Sequence, residues 1–109
     1  MKRVLFVCSR NRLRSPTAER VFADWPGIEV SSAGTAPDAD EPVTGELLAW
    51  AELVFVMERG HRATLNRRFR PFLKQARVIC LKIPDEYDFM DPGLVAVLRR
   101  KVEPYLPRR

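Results

Sequence analysis

The chain has 109 residues, 46% of them hydrophobic and 30% charged, which suits one folded globular core and is too short for two. No apolar run approaches a membrane span or a signal-peptide core, and two Cys with one His make neither a disulfide framework nor a zinc set. A reducing, cytoplasmic compartment is therefore expected, while 19 Lys and Arg against 14 Asp and Glu leave a charge of +5 that invites a polyanionic partner, nucleic acid included.

Lys2 to Val7 is a β-branched and aromatic run with apolar residues on both faces, the pattern of a strand inside a parallel sheet. Ser15-Pro16 reads as a helix start, with Ser15 as cap and Pro16 in the first turn, and Ala18, Val21, Phe22 and Trp25 supply its apolar stripe before Pro26-Gly27. Ile28 to Ser32 reads as a second strand with a turn at Gly34, and residues 36 to 46 as a polar, acidic connection. Leu47 to Ala51 suggests a short helix, Leu53 to Met57 a third strand, residues 59 to 70 a basic helix, and Val78 to Ile83 a fourth strand. A last helix starts at Pro92 and stops at Pro104. Strands alternating with helices predict a single α/β domain over 1–109, a four-stranded parallel sheet with helices on both faces. Ligands of such sheets bind beyond the carboxyl ends of the strands, where the loops after Cys8, Met57 and Ile83 gather.

The loop Cys8-Ser9-Arg10-Asn11-Arg12-Leu13-Arg14-Ser15 lies at that edge, between a strand and a helix. Amides ahead of a helix N-terminus bind an oxyanion, and the same positive field favours the thiolate of Cys8. Arg14 can hold two phosphoryl oxygens bidentately, which places the thiolate for in-line attack and a phosphocysteine intermediate. Arg10, Arg12 and Arg14 oppose the dipole of the following helix, a penalty of about 0.3–1 kcal/mol each that a bound dianion reverses. Asn11 suits a left-handed backbone position. The bland alternative for Cys8 is a small buried hydrophobe at a strand end.

From Val7-Cys8 through Asn11, Arg14-Ser15-Pro16 and Ala18-Glu19, the chain resembles the low-molecular-weight protein tyrosine phosphatases, and most closely a compact branch of about this length. Ser31-Ser32-Ala33-Gly34-Thr35, Leu53 to Met57 and Ile83-Pro84-Asp85 extend the resemblance. It implies a three-layer domain of the phosphotyrosine phosphatase I type with strand order 2-1-3-4. It also implies Cys8 as nucleophile and Arg14 as phosphate clamp, with Ser9 to Leu13 completing the phosphate loop. Ser15 would then bond the thiolate, Asn11 hold the loop, and Asp85 act first as general acid and then as base. Arg10 stands where the family usually has Gly, Leu13 where it often has a second Cys, and Glu86 where Pro usually follows the aspartate. The segment between Thr35 and Leu53 is also shorter than usual. A true Asp-Pro pair occurs at Asp91-Pro92, which makes Asp91 the alternative general acid, although a cap before Pro92 also explains it; Asp88 is a third candidate.

Tyr87 falls where the family places a substrate-stacking tyrosine, with a half-buried loop residue as the plain alternative. Cys80 reads as a structural thiol and His61 as a solvated residue without an evident partner. Residues 58 to 77 carry seven Lys and Arg with Glu58 alone against them, a solvated basic face or a polyanion-docking one. The expected activity is phosphomonoester hydrolysis, first on protein phosphotyrosine, with no metal or cofactor implied. Alternatives are the same chemistry on a nucleotide, an RNA end or another small phosphate, or a catalytically silent anion-binding module. Arsenate reduction ranks low, since Cys80 is the only other thiol.

Overall fold

Apolar residues on both sides of the first strand require a layer of helices on each face of the sheet, and the chain supplies them. The computed structural model describes residues 1–108. In chain order it contains β1 (Lys2–Cys8), α1 (Arg14–Phe22), β2 (Ile28–Gly34), α2 (Gly45–Trp50), β3 (Leu53–Val56), α3 (Arg59–Phe69), β4 (Arg77–Cys80) and α4 (Pro92–Val102). Short 3-10 turns follow α3 and α4. All strands pair in parallel in the order β2-β1-β3-β4, as expected.

The period of two along each strand sorts side chains between two cores. Val4, Phe6, Cys8 and Phe55 face α1 and α4, where they meet Ala18, Phe22, Leu94, Leu98 and Val102. Leu5, Val7, Val54 and Val56 face α2 and α3, meeting Leu48 and Leu65. Phe6 stacks between Phe22 and Phe55, with centroids 5.7 and 5.4 Å away. Burying each of these rings contributes about 1.5–3 kcal/mol. Trp25, expected on the helix stripe, lies just beyond α1 and donates from Nε1 to the Pro107 carbonyl at 2.8 Å.

Several boundaries differ from the sequence expectation. Ser15 does not cap α1; the N-cap residue is Leu13, without a side-chain cap bond, because the Ser15 hydroxyl is committed to the loop. Gly34 ends β2 rather than forming a turn, since Gly34 pairs with Cys8. A Cβ there would lie 2.5 Å from the Ser9 carbonyl oxygen and 2.6 Å from Ala39 Cβ, so only glycine permits this approach. Regular β4 stops at Cys80, short of Ile83, because Lys82 takes a φ of 56°. Its path still follows β3, with Leu81 N–H donating to Val56 O and Ile83 N–H to Met57 O, both at 2.8 Å. Pro104 sits within the final 3-10 turn rather than ending α4. Among the described residues, no helix is long and apolar enough to cross a membrane.

Candidate active site

β1 lies between β2 and β3, so the backbone that delivers Cys8 is held on both sides. Beyond it the loop turns through Asn11, whose φ of 57° is the left-handed conformation expected there. This turn brings the Asn11 N–H within 3.3 Å of Cys8 Sγ. The Asn11 side chain is buried and donates from Nδ2 to both Ser15 Oγ and Ser32 Oγ at 2.9 Å. Ser32 Oγ in turn donates to Glu19 Oε1. Ser15 Oγ lies 2.9 Å from Cys8 Sγ and accepts from Asn11, so its one proton goes either to the sulfur or to the more distant Ala33 carbonyl at 3.4 Å, and an anionic sulfur competes better for it. Two of the contacts around the sulfur are thus donors suited to an anion.

Arg14 is 2% exposed, and its placement explains how a buried guanidinium is tolerated. Nη1 donates to Glu58 Oε2 and to the Ile83 carbonyl, each at 2.7 Å. That uses both Nη1 protons and leaves the Nε–Nη2 edge, the side of the fork that grips an oxyanion bidentately. Asp85 Oδ1 stands 3.7 Å from Nε, with its side chain 63% exposed at the mouth of the site. Cys8, Ser9, Arg10, Arg12, Leu13, Arg14 and Asp85 line one pocket of about 310 Å³.

Other expected residues fall as follows. Arg10 and Arg12 line the pocket, but their guanidinium groups reach outward to Asp38 and Asp40, each pair 3.2 Å apart. The acidic connection thus partners the loop it follows, through exposed pairs that contribute about 0–1 kcal/mol each. Asp91 caps α4, its Oδ1 accepting from Gly93 N–H at 2.7 Å, and is absent from the pocket lining. Asp88 is exposed and its carbonyl accepts from Asp91 N–H. Tyr87 is also absent from the lining; it is partly buried against the α1–α4 core, close to Gly93 at the start of α4. Cys80 is a free, partly buried thiol packed against the opposite core.

Two residues that the sequence reading left aside belong to the site. Glu58 holds Arg14, as above, and caps α3. His61, expected to be solvated, is 5% exposed. Its Nδ1 accepts from Glu58 N–H at 3.0 Å, and its Nε2 meets Ser9 Oγ at 2.9 Å. Burial first, and the Arg14 guanidinium second, push the His61 pKa below the ordinary 6.5, with Glu58 and Asp85 opposing. The available signal was positional: His61 is the third residue after Glu58, where a capping box has its second member.

Residues 3–52, the segment holding β1, the cysteine loop, α1 and β2, match the model of the low molecular weight phosphotyrosine protein phosphatases. That match covers just under half of the chain. Its fold is shared by the YwlE arginine phosphatase from Geobacillus stearothermophilus, at 23% identity over 96% of this chain and 93% of that one, with a TM-score of 0.74. It is shared also by the Escherichia coli K30 tyrosine phosphatase Wzb, at 21% identity over 95% of each chain and a TM-score of 0.77. A low molecular weight protein tyrosine phosphatase from T. tengcongensis aligns at 23% identity over 97% of this chain and 100% of that one, with a TM-score of 0.74. No curated protein sequence matches the chain significantly.

Proposed function

We propose that the protein hydrolyses phosphomonoesters through a phosphocysteine at Cys8, with phosphotyrosine on protein as the first substrate to test. What supports this reading is the union, in one pocket, of a sulfur under hydrogen-bond donors, an Arg14 Nε–Nη2 edge that faces only the Asp85 carboxyl at 3.7 Å among the described residues, and that carboxyl at the mouth. In the first step the Cys8 thiolate attacks phosphorus, the ester P–O bond breaks, and Asp85 gives its proton to the leaving oxygen. Water then attacks the phosphocysteine, Asp85 takes the water's proton, and the S–P bond breaks to return thiolate and inorganic phosphate. Arg14 and the loop amides stabilise the equatorial oxygens in both steps.

Asp85 is preferred over Asp91 because it stands beside Arg14 while Asp91 is occupied at α4. A nucleotide or RNA end would draw on Arg10 and Arg12, and both are already paired with carboxylates, so these substrates rank second. The free thiols at Cys8 and Cys80 suit a reducing, cytoplasmic setting. We read residues 1–109 as one domain of this type.

The test is steady-state hydrolysis across an aryl phosphate, phosphotyrosine peptides, phosphoarginine, nucleotides and RNA ends, with Cys8→Ser beside the parent. Phosphoarginine is included because one structural relative is named an arginine phosphatase. Loss of turnover in Cys8→Ser is expected. Unchanged turnover, or no turnover of any substrate by the parent, would sink the proposal, the latter in favour of a silent anion-binding module.

A further inference from the structure

We propose that the Ser9 hydroxyl is a phosphoryl-oxygen donor and that His61 is the positioning residue that aims it. This rests on the reading of the pocket as a phosphatase site. His61 is held from both sides. Because Nδ1 accepts the Glu58 N–H, the ring proton of the neutral imidazole is on Nε2, and Nε2–H donates to Ser9 Oγ. Burial and the neighbouring Arg14 both favour that neutral form. A serine oxygen that accepts from His61 must send its own proton elsewhere. Among the described residues the hydroxyl has no other hydrogen-bond partner, while Ser9 lines the pocket beside Cys8 and Arg14. The backbone of Ser9 is pinned as well, its carbonyl accepting from Ala36 N–H at 2.9 Å. The hydroxyl is thereby a directed donor in a site otherwise served by amides and a guanidinium, prepared before substrate arrives.

The plain alternative is that His61 only caps α3. Two isosteric amides separate the roles. In His61→Asn the side-chain oxygen can replace Nδ1 as acceptor of the Glu58 N–H, but nothing reaches Ser9. In His61→Gln the side-chain NH2 can replace Nε2 and still donate to Ser9, while the cap acceptor is lost. The experiment measures kcat and KM on p-nitrophenyl phosphate, Ki for inorganic phosphate, and the urea midpoint for each variant. Ser9→Ala is expected to lower kcat/KM about tenfold and to weaken phosphate inhibition. Ser9→Thr should restore most of the loss. His61→Asn should fall as Ser9→Ala does with a near-parental urea midpoint. His61→Gln should keep kcat within about threefold while losing stability. The double variant Ser9→Ala/His61→Asn should be no worse than the worse single.

Parental kcat/KM and Ki in Ser9→Ala overturn the proposal whether or not the His61 variants fold. So do parental kinetics in folded His61→Asn, or losses that multiply in the double variant. A dead Cys8→Ser beside a fully active Ser9→Ala refutes only this inference. An active Cys8→Ser refutes the phosphocysteine reading itself.

Discussion

Glu58 offers the sharpest test of how the clamp is built. Its Oε2 accepts from Arg14 Nη1 at 2.7 Å, and among the described residues the only other acceptor for that nitrogen is the Ile83 carbonyl. Replacing Glu58 by Ala removes one charge-assisted hydrogen bond, worth about 1.5–3 kcal/mol in a dry setting. The carboxylate is 46% exposed, so solvent screening brings the working figure to about 1–2 kcal/mol. If that energy keeps the Nε–Nη2 edge facing the phosphoryl group, its loss lowers kcat/KM about 5- to 30-fold. The same substitution removes the α3 cap, at about 1 kcal/mol of stability, so a urea titration must accompany the kinetics. Glu58→Gln keeps an acceptor oxygen at the same reach and should lose only a few-fold. The assay is aryl phosphate hydrolysis for parent, Glu58→Gln and Glu58→Ala at a temperature where all are folded. Unchanged kcat/KM in folded Glu58→Ala would show that Ile83 alone orients Arg14, and the argument from the ion pair would be wrong.

Further expectations follow from the same geometry. Asp85→Asn should lower kcat on an alkyl or phenyl phosphate by about 10²–10³, and less on esters with acidic leaving groups, whereas Asp91→Asn should leave kcat alone; the reverse pattern would make Asp91 the acid. Gly34→Ala must push back both the Ser9 carbonyl and Ala39, at about 1–3 kcal/mol, with lower kcat/KM because the loop after Cys8 has to move; a parental urea midpoint and rate would contradict the contact. The depressed His61 pKa means the unfolded chain binds the extra proton first as pH falls. Its contribution to stability is therefore full above 6.5 and is lost as pH drops toward the folded value. Urea midpoints between about pH 5 and 7.5 should rise more steeply for the parent than for His61→Gln, and equal slopes would discount the buried ring.

Cys8, Arg14 and the strands themselves were legible because they are local or periodic, whereas the strand order came from the family resemblance. A strand that ends in cysteine, a loop of fixed length and an arginine opening a helix all lie within one stretch of chain. Alternation along β1 and β3 sorts their side chains without knowledge of any partner. His61 was misjudged for the opposite reason. It sits on a helix whose other buried residue is Leu65, so no apolar stripe marks its inward face, and its partner Ser9 is 52 residues away. Glu58 looked like a lone acid among arginines, when its contact is with the arginine of a different segment. Ser15 was assigned the nearest local role, a cap, but tertiary contacts with Cys8 and Asn11 outbid it. Asp85 and Asp91 could not be separated by spacing alone, since both precede α4 at the same sheet edge; the cap bond from Gly93 to Asp91 and the approach of Asp85 to Arg14 are what support Asp85 in the proposed role.

The position of Arg14 has a consequence for how the molecule comes apart. Its helix follows β1, Glu58 follows β3 and Ile83 follows β4, so one guanidinium ties together the ends of three strands. β4 is a four-residue edge strand, the part of the sheet least protected from transient opening. Fraying there pulls away the Ile83 carbonyl and leaves a buried charge half-held, which ties edge opening to loss of the anion grip. Anything that fills the Nε–Nη2 edge should then slow hydrogen exchange at Leu81 and Ile83, whose amides close the seam with β3, although neither residue lines the pocket.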